Sequence, residues 1–224
     1  TVSNTGGVRE WIYQSNPVSL PAGPPPATGW VFSFTGCCRN PCTNITGTTS
    51  MNWYLRAIMY PYQGTPVNNC WDNSPRFVER PSTVICTGYP FSYNPNAYDP
   101  ELDSLSYQWD QPWTGNNQPI PAASYVGGYT WNSPLPGTMH NPNNVPASVN
   151  PYTGEIAFTS YTQGAFVTVN KVTAFRCGIK IAEIFREMQV VLLPCPGNDP
   201  PTVIIQYPNG DTLNNYVDTV FAGA

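Results

Sequence analysis

Three acidic residues alternate with other residues over only five positions of the chain. Asp99, Glu101 and Asp103 stand at every second position, just ahead of an alternating apolar stretch. Clustered carboxylates act as acid–base pairs, as oxygen ligands for a cation, or as solvated side chains of a turn. A glycosidase pair needs two carboxylates about 5 to 9.5 Å apart across a sugar, one of them in an apolar pocket. Acids crowded into one turn-rich loop are normally solvated, so the pattern disfavours catalysis.

The single histidine also argues against an enzyme. His140 lies in the polar segment GTMHNPNN (137–144), with no nucleophile elbow beside it for Ser–His–Asp chemistry. A structural zinc site is disfavoured because the chain has no Cys-x-x-Cys pair and only this one imidazole. We therefore predict a non-enzymatic protein without catalytic residues.

The elements that must position the acids are predicted to be strands. Apolar and polar residues alternate, β-branched residues are frequent, and Pro, Gly and Asn separate the runs. Strands are predicted at 89–94, 104–110, 155–160, 164–175 and 179–193. Helical spacing competes at 181–190, but the β-rich end of that run and Pro194 favour a strand. Many short strands without a clear helix indicate an all-β protein built as a β-sandwich.

Composition and charge limit the classes of partner that the protein can bind. Only 10% of the residues are charged, the net charge is -4, and no block of Lys or Arg is present. Because a phosphate backbone is bound through clustered positive charge, nucleic acid is excluded as a partner. No apolar run approaches the roughly 20 residues that span a bilayer, so we expect no membrane insertion in this segment.

Two similar turns suggest a repeated domain plan. An Asp–Asn–Ser–Pro turn at 72–75 and an Asn–Asp–Pro turn at 198–200 each stand before a new apolar stretch. Repeated linkers indicate repeated domains. We predict an N-terminal β module at 1–72 whose completeness the sequence leaves open, a complete β-sandwich at 73–197, and the start of a further repeat at 198–224.

Seven cysteines indicate an oxidising compartment, because such numbers are unusual in a reduced cytosolic protein of this size. Cys86 and Cys195 flank the predicted middle domain, so we predict that they are bonded. The first module would pair its own cysteines, which are Cys37, Cys38, Cys42 and Cys70. Cys177 then remains as the odd thiol or an extra partner.

Five aromatic residues fall between positions 109 and 131. Exposed aromatic rings stack on sugars, whereas rings that continue a strand stripe belong to the core. Trp109 continues the stripe of the strand at 104–110 and is predicted to be buried. Trp113 and Tyr125 are the candidates for an exposed, glycan-binding surface.

The order of several motifs resembles repeats of gliding-motility-associated surface proteins of Bacteroidetes, of which the SprB-type adhesin is the best-known kind. The resemblance covers about residues 30 to 197 and rests on CCRNP (37–41), LRAIMYPY (55–62), NSPRF (73–77), AYDPELDSLSYQW (97–109), TGEIAFT (153–159) and REMQVVLLPC (186–195). It implies export by the type IX secretion system, a cell-surface location, and a role in attachment or gliding. The implied partners are neighbouring repeats of the same chain and a surface polysaccharide.

A second resemblance concerns the acids. An Asp–Asn linker followed by an acidic loop is similar to the cadherin arrangement, in which such residues bind calcium at a domain junction. The implied calcium ligands are Asp72, Asp99, Glu101 and Asp103, and calcium is the only cofactor expected. Related loops tend to read Asp-x-Asp-Gly-Asp, whereas Glu101 and Leu102 replace the second Asp and the Gly here. A solvated turn set by Pro100 is the alternative, and the sequence leaves both open.

The resulting hypothesis is a tandem array of Ig/cadherin-like β-sandwiches from a non-enzymatic, extracellular adhesin or surface filament. Two alternatives belong to other classes. A secreted carbohydrate-binding module of a hydrolase would show a planar row of exposed aromatic residues. A structural coat protein would assemble symmetrically from one compact domain.

Overall fold

Strands account for nearly all of the regular structure. The computed structural model describes residues 12–21, 23–62, 72–81, 84–115 and 118–195. Within these residues the strands are β1 (Trp30–Gly36), β2 (Trp53–Met59), β3 (Arg76–Phe77), β4 (Val84–Cys86), β5 (Pro90–Tyr93), β6 (Ala97–Tyr98), β7 (Ser104–Trp109), β8 (Trp113–Thr114), β9 (Gln118–Pro119), β10 (Val145–Val149), β11 (Ile156–Thr159), β12 (Gly164–Arg176) and β13 (Ile179–Leu193). Short 3-10 turns occur at Thr48–Ser50 and Ala122–Ser124.

The all-β prediction is confirmed. The predicted runs at 104–110, 164–175 and 179–193 correspond to β7, β12 and β13. The helical alternative at 181–190 is wrong, because β13 pairs with β12 throughout this range. In the part of the chain that the structure describes, no helix is long and apolar enough to cross a membrane.

The large sheet carries the long hairpin of β12 and β13 at its centre. Its order is β1-β2-β13-β12-β7, and β4 adds to β13 in parallel orientation. The register places Val172 opposite both Tyr107 and Ile184, and these three side chains form one buried cluster. Alternate residues of β12 thereby point to the same face, as the pleat of a strand requires.

The main core lies between the large sheet and a second sheet of order β10-β11-β5. Phe158 of the small sheet and Phe166, Trp109 and Leu192 of the large sheet belong to one buried cluster. The burial of Trp109 confirms its predicted core position. The opposite face of β12 is covered by loops, whose Ile45 and Ile120 pack on Val167.

Asn44 continues the edge of β12 where β7 ends. It is fully buried, and its side chain forms a two-way pair with Val167, donating to the carbonyl at 2.9 Å and accepting from the N–H at 3.0 Å. A second N–H of the same amide donates to the carbonyl of Pro134. The loop that carries Asn44 is thereby fixed to the sheet.

The predicted domain boundary at 72 falls between strands that lie in one sheet. β2 lies in the predicted N-terminal module 1–72, yet it pairs with β13 of the predicted middle domain 73–197, with Ala57 opposite Ile184. Residues 30–59 therefore complete the large sheet instead of forming a separate one. The predicted further repeat at 198–224 lies outside the described residues.

Candidate cation site

Two strand pairings gather the predicted acids at one end of the molecule. β3 and β6 pair in antiparallel orientation, with Arg76 opposite Tyr98. Asp72 lies four residues before Arg76 and Asp99 directly follows Tyr98. Because antiparallel strands run in opposite directions, the residue before one strand and the residue after the other meet at the same end.

The pairing of β7 with β12 adds a positive charge to this end. Ser104 lies opposite Phe175, so their neighbours Asp103 and Arg176 meet. The Arg176 guanidinium donates to both carboxylate oxygens of Asp103, with Nε 2.9 Å from Oδ1, and to Asp72 Oδ1 at 3.1 Å. Sequence reasoning missed Arg176. The sequence did contain a signal, because Arg176 lies at the end of a long predicted strand that is followed after a short turn by the next predicted strand.

The acidic loop is closed by its first aspartate. Asp99 Oδ1 accepts hydrogen bonds from the backbone N–H groups of Glu101 at 2.9 Å and Asp103 at 3.2 Å. The N–H of Leu102 donates to the Asp99 carbonyl at 3.1 Å. Leu102, at the position where glycine is usual, holds a φ of 65°. The turn forms without glycine, and Glu101 also accepts a hydrogen bond from the side-chain amide of Asn73.

Two carboxylate oxygens in this cluster are buried without a partner. Oδ2 of Asp72 and Oδ2 of Asp99 have no hydrogen bond to any residue that the structure describes. Asp99 is 3% exposed and the side chain of Asp72 is 7% exposed. An unpaired carboxylate oxygen removed from water is costly, so both positions call for a further positive partner.

Burial, together with neighbouring negative charge, shifts the pKa values of Asp72 and Asp99. Burial and the neighbouring Asp99 charge raise the pKa of Asp72 to about 6, although the Arg176 guanidinium opposes this shift. Burial also raises the pKa of Asp99, against the two backbone N–H groups that favour its ionised form. The hydrogen bonds and charge of Asp103 raise the pKa of the Arg176 guanidinium, which keeps this residue charged.

The four predicted ligands converge. One carboxylate oxygen from each of Asp72, Asp99, Glu101 and Asp103 lies within 4.8 Å of the others. Calcium binds oxygens at about 2.3–2.6 Å, so two ligands on opposite sides of the ion are roughly 5 Å apart. The donors are hard oxygens, Asp72 and Asp99 each have one buried and unpaired oxygen, and Glu101 is open to solvent, which leaves access for water ligands. The set fits a calcium ion.

The predicted exposed aromatic patch is not formed. Trp113 is half-buried beneath the Arg56 guanidinium, which lies 4.0 Å from its ring centroid, and its carbonyl accepts a hydrogen bond from Arg39. Tyr125 packs against two core clusters, and its hydroxyl is buried. Both rings therefore contact protein where the prediction required them to face solvent.

A cavity of about 310 Å³ opens where β2 separates from β13 beyond their last pair. It is lined by Cys38, Arg39, Asn40, Trp53, Leu55, Val167, Glu187, Met188 and Gln189. Arg39 Nε pairs with Glu187 Oε1 at 2.7 Å, so the two charges in the lining compensate each other. Trp53 adds an aromatic ring to the cavity lining, and Asn40 and Gln189 add uncharged side-chain amides.

Four cysteines are bonded among the described residues. Cys86 is joined to Cys195, the pair predicted from the sequence, at the place where Cys86 lies opposite Leu193 in the sheet. Cys37 is bonded to its neighbour Cys38. Cys42 and Cys177 carry free thiols, and Cys177 is exposed. Cys70 lies outside the described residues.

Comparisons with protein-family models, curated proteins and solved structures found no match to the chain.

Proposed function

We propose that the chain is a segment of a non-enzymatic, extracellular surface protein, an adhesin or surface filament, in which an Ig/cadherin-like β-sandwich is stabilised at one end by calcium. The motif order that resembles gliding-motility surface proteins supports cell-surface display, type IX secretion and a role in attachment or gliding. The Cys86–Cys195 disulfide supports an oxidising compartment outside the cytosol. Packing of two mainly antiparallel sheets around one core supports the sandwich assignment.

The unpaired, buried oxygens of Asp72 and Asp99 carry the proposal. Arg176 satisfies Asp103 and one oxygen of Asp72, but it leaves the other oxygens of the cluster without a positive partner. A divalent ion supplies that partner, and extracellular calcium modules work at about 0.1 to 1 mM. Such a site requires a compartment rich in calcium, which agrees with a surface protein.

The location of the site differs from the cadherin-like expectation. Asp72 precedes β3, which pairs with β6 in a small separate sheet, and β2 from before this segment joins β13 of the large sheet. The ion would therefore join two segments of one module. Its task would be to fix the 72–77 segment and the 99–103 loop to the end of β12. In this role calcium stiffens the end of a module that transmits load between the cell and its attachment point.

Equilibrium dialysis of the chain against calcium tests this proposal. We expect one bound ion with a dissociation constant of about 0.1 to 1 mM. Asp99→Asn should abolish binding, because the amide retains the Oδ1 that closes the turn and replaces the unpaired Oδ2 by a donor. Glu79→Gln removes an exposed acid outside the cluster and should bind as the wild type does. Absence of binding by the wild type at millimolar calcium would refute the site.

A second candidate function is carbohydrate binding, supported by a run of aromatic rings beside the cavity. The ring centroids of Tyr13 and Phe34 are 4.6 Å apart, and those of Phe34 and Trp53 are 5.4 Å apart. Tyr13 and Phe34 are exposed, while Trp53 lines the cavity together with the Asn40 amide. Aromatic faces and uncharged amides are the groups that recognise neutral sugars.

Affinity electrophoresis in gels that contain neutral soluble polysaccharides, such as xylan and laminarin, tests this second function. Retardation of the wild type that Trp53→Ala removes, and that Trp131→Ala leaves intact, would support it, because Trp131 is exposed away from the cavity lining. Equal mobility in gels with and without polysaccharide would count against it.

A further inference from the structure

A lysine and two carboxylates converge on the loop-covered face of the large sheet, where they have no part in the proposed calcium site. Lys171 Nζ lies 3.0 Å from Asp110 Oδ2 and 3.7 Å from Glu183 Oε1. The three side chains are between 10% and 19% exposed. An amine and a carboxyl group held in contact and largely out of water are the reactants of amide formation.

Strand register holds the three groups together. Lys171 lies opposite Phe185 in β13, and Glu183 lies one pleat away on the same face. Asp110 directly follows β7, and its N–H donates to the carbonyl of Val169 at 3.0 Å. Three neighbouring, hydrogen-bonded strands thus position these side chains and fix the distances between their charged ends.

The carboxyl group of Asp110 is also polarised from one side. The backbone N–H of Gln111 donates to Asp110 Oδ1 at 2.6 Å, and Arg56 Nη2 lies 3.5 Å from the same oxygen. Arg56 is fixed between two aromatic rings, 4.0 Å from the centroid of Trp113 and 3.7 Å from that of Phe185. Two donors on one carboxyl oxygen are the arrangement that stabilises a tetrahedral oxyanion.

Glu183 stands on the other side of the lysine. Its Oε2 accepts a hydrogen bond from the Tyr60 hydroxyl at 2.7 Å, and its Oε1 faces Lys171 and also Lys180 at 3.3 Å. A carboxylate in contact with the ammonium group is placed to take a proton from it and pass it on.

We infer that Lys171 and Asp110 form an intramolecular isopeptide bond. Glu183 accepts one proton from the Lys171 ammonium and passes it to Oδ2 of Asp110, which makes the carboxyl group neutral, and the free amine then attacks Cγ of Asp110. Negative charge then develops on Oδ1, where the Gln111 N–H and Arg56 stabilise it. Oδ2 leaves as water after receiving two protons that the ammonium group has lost, one of them through Glu183. One C–N bond forms, one C–O bond breaks, and no oxidant or other reactant is required.

The bond would connect the end of β7 to the centre of β12 covalently. It goes beyond the proposed calcium function and does not depend on it, because none of its residues belongs to the acidic cluster. Like a disulfide, it would resist unfolding by restricting the unfolded chain, but reductants would not cleave it.

Intact mass spectrometry of the full chain tests the inference, after folding, prolonged incubation, reduction and denaturation. We expect a mass lower than the sequence mass by one water molecule, and a branched proteolytic peptide that contains both Lys171 and Asp110. The full sequence mass, with these two residues recovered in separate unmodified peptides, would overturn the inference and leave an ion-pair network.

Matched variants assign the roles. Lys171→Ala and Asp110→Ala should each show their full sequence mass, and Glu183→Gln should retain the full mass or lose water far more slowly. Lys180→Ala is the control, because this lysine contacts Glu183 but is not paired with Asp110, and it should still lose one water. Water loss in Lys171→Ala would also overturn the assignment. The wild-type mass decides the question even if a variant does not fold.

Discussion

Leu102 holds a backbone conformation that glycine adopts at little cost. Its φ is 65° and its side chain is 90% exposed, so the strain is not offset by packing. Leu102→Gly should therefore raise the free energy of unfolding by about 0.5–1 kcal/mol, measured by denaturant titration. Leu102→Ala retains the β-carbon and serves as the control without a gain. Destabilisation by Leu102→Gly would show that the turn depends on the leucine side chain.

Asp72 gives the free energy of unfolding an unusual dependence on pH when calcium is removed. Its folded-state pKa is about 6, above the ordinary 3.8, because burial and neighbouring acids disfavour the charged form. A carboxyl group whose pKa is raised on folding stabilises the fold fully when the pH lies below its pKa in the unfolded state. This contribution is lost as the pH rises through its pKa in the folded state. In chelator, the unfolding free energy should thus gain about 1 kcal/mol from this group between pH 7 and pH 5.

Denaturant unfolding of wild type and Asp72→Asn at both pH values isolates this contribution. The amide cannot titrate, so the gain at pH 5 should be smaller in the variant by about the same 1 kcal/mol. Parallel profiles for the two proteins would mean that Asp72 titrates normally. Calcium should reduce the gain in unfolding free energy at pH 5, because the ion requires ionised ligands and binds more weakly at the lower pH.

The turn between β12 and β13 is the element on which the large sheet depends. It consists of two residues, Cys177 with a φ of 50° and Gly178 with a φ of 78°. Positive φ at both positions is typical of the type I′ hairpin, for which Asn–Gly is the preferred sequence. Cys177→Asn should therefore stabilise the protein by about 0.5 kcal/mol.

Thermal unfolding measures this effect, with Gly178→Ala as the opposing control. A β-carbon at Gly178 meets no atom within 4 Å, so any loss in that variant reports backbone strain alone. A drop in stability on Cys177→Asn would indicate that the cysteine contributes something other than its turn conformation.

Elements were predictable where apolar and β-branched residues form a long run. β12 and β13 extend over 13 and 15 residues, both faces of β12 are largely buried, and the boundaries of the two strands are close to the predicted ones. β1 was not predicted, and this edge strand exposes Val31, Phe32 and Phe34 on both of its faces. In the acidic site the acids of the 99–103 loop were noticed by their spacing, and Asp72 was implied by the cadherin-like resemblance. Arg176 was missed because it reaches Asp103 from 73 residues away through strand pairing.

At the scale of the whole molecule, strand pairing crosses the position where a turn motif predicts a domain limit. The segment at 72–75 resembles a linker, but the strands on its two sides share one sheet through β2 and β13. A local sequence cannot indicate which distant strand will supply backbone partners, because pairing depends on the complete set of apolar faces. Partner choice is therefore the part of the fold that sequence patterns did not predict.

The Cys86–Cys195 bond closes a loop with a sequence separation of 109 residues and joins β4 to the end of β13. Replacing both cysteines by serine should lower the unfolding free energy by about 3–5 kcal/mol, because the unfolded chain gains freedom. Denaturant titration without reductant measures the loss. Cys177→Ser is the matched control, since this exposed thiol is free, and should change stability little. Equal stability of the double variant and wild type would contradict a structural role for the bond.

Thermal unfolding of the full chain with calcium and with chelator tests the central claim, that the acids form a cation site. At about ten times the dissociation constant, bound calcium adds ~1.4 kcal/mol, which corresponds to roughly 3–6 °C in a chain of this size. We predict this rise for wild type and Glu79→Gln, and no rise for Asp99→Asn. Superimposable wild-type curves with calcium and with chelator would contradict the claim and make the acids a turn stabilised by Arg176 and hydrogen bonds without an ion.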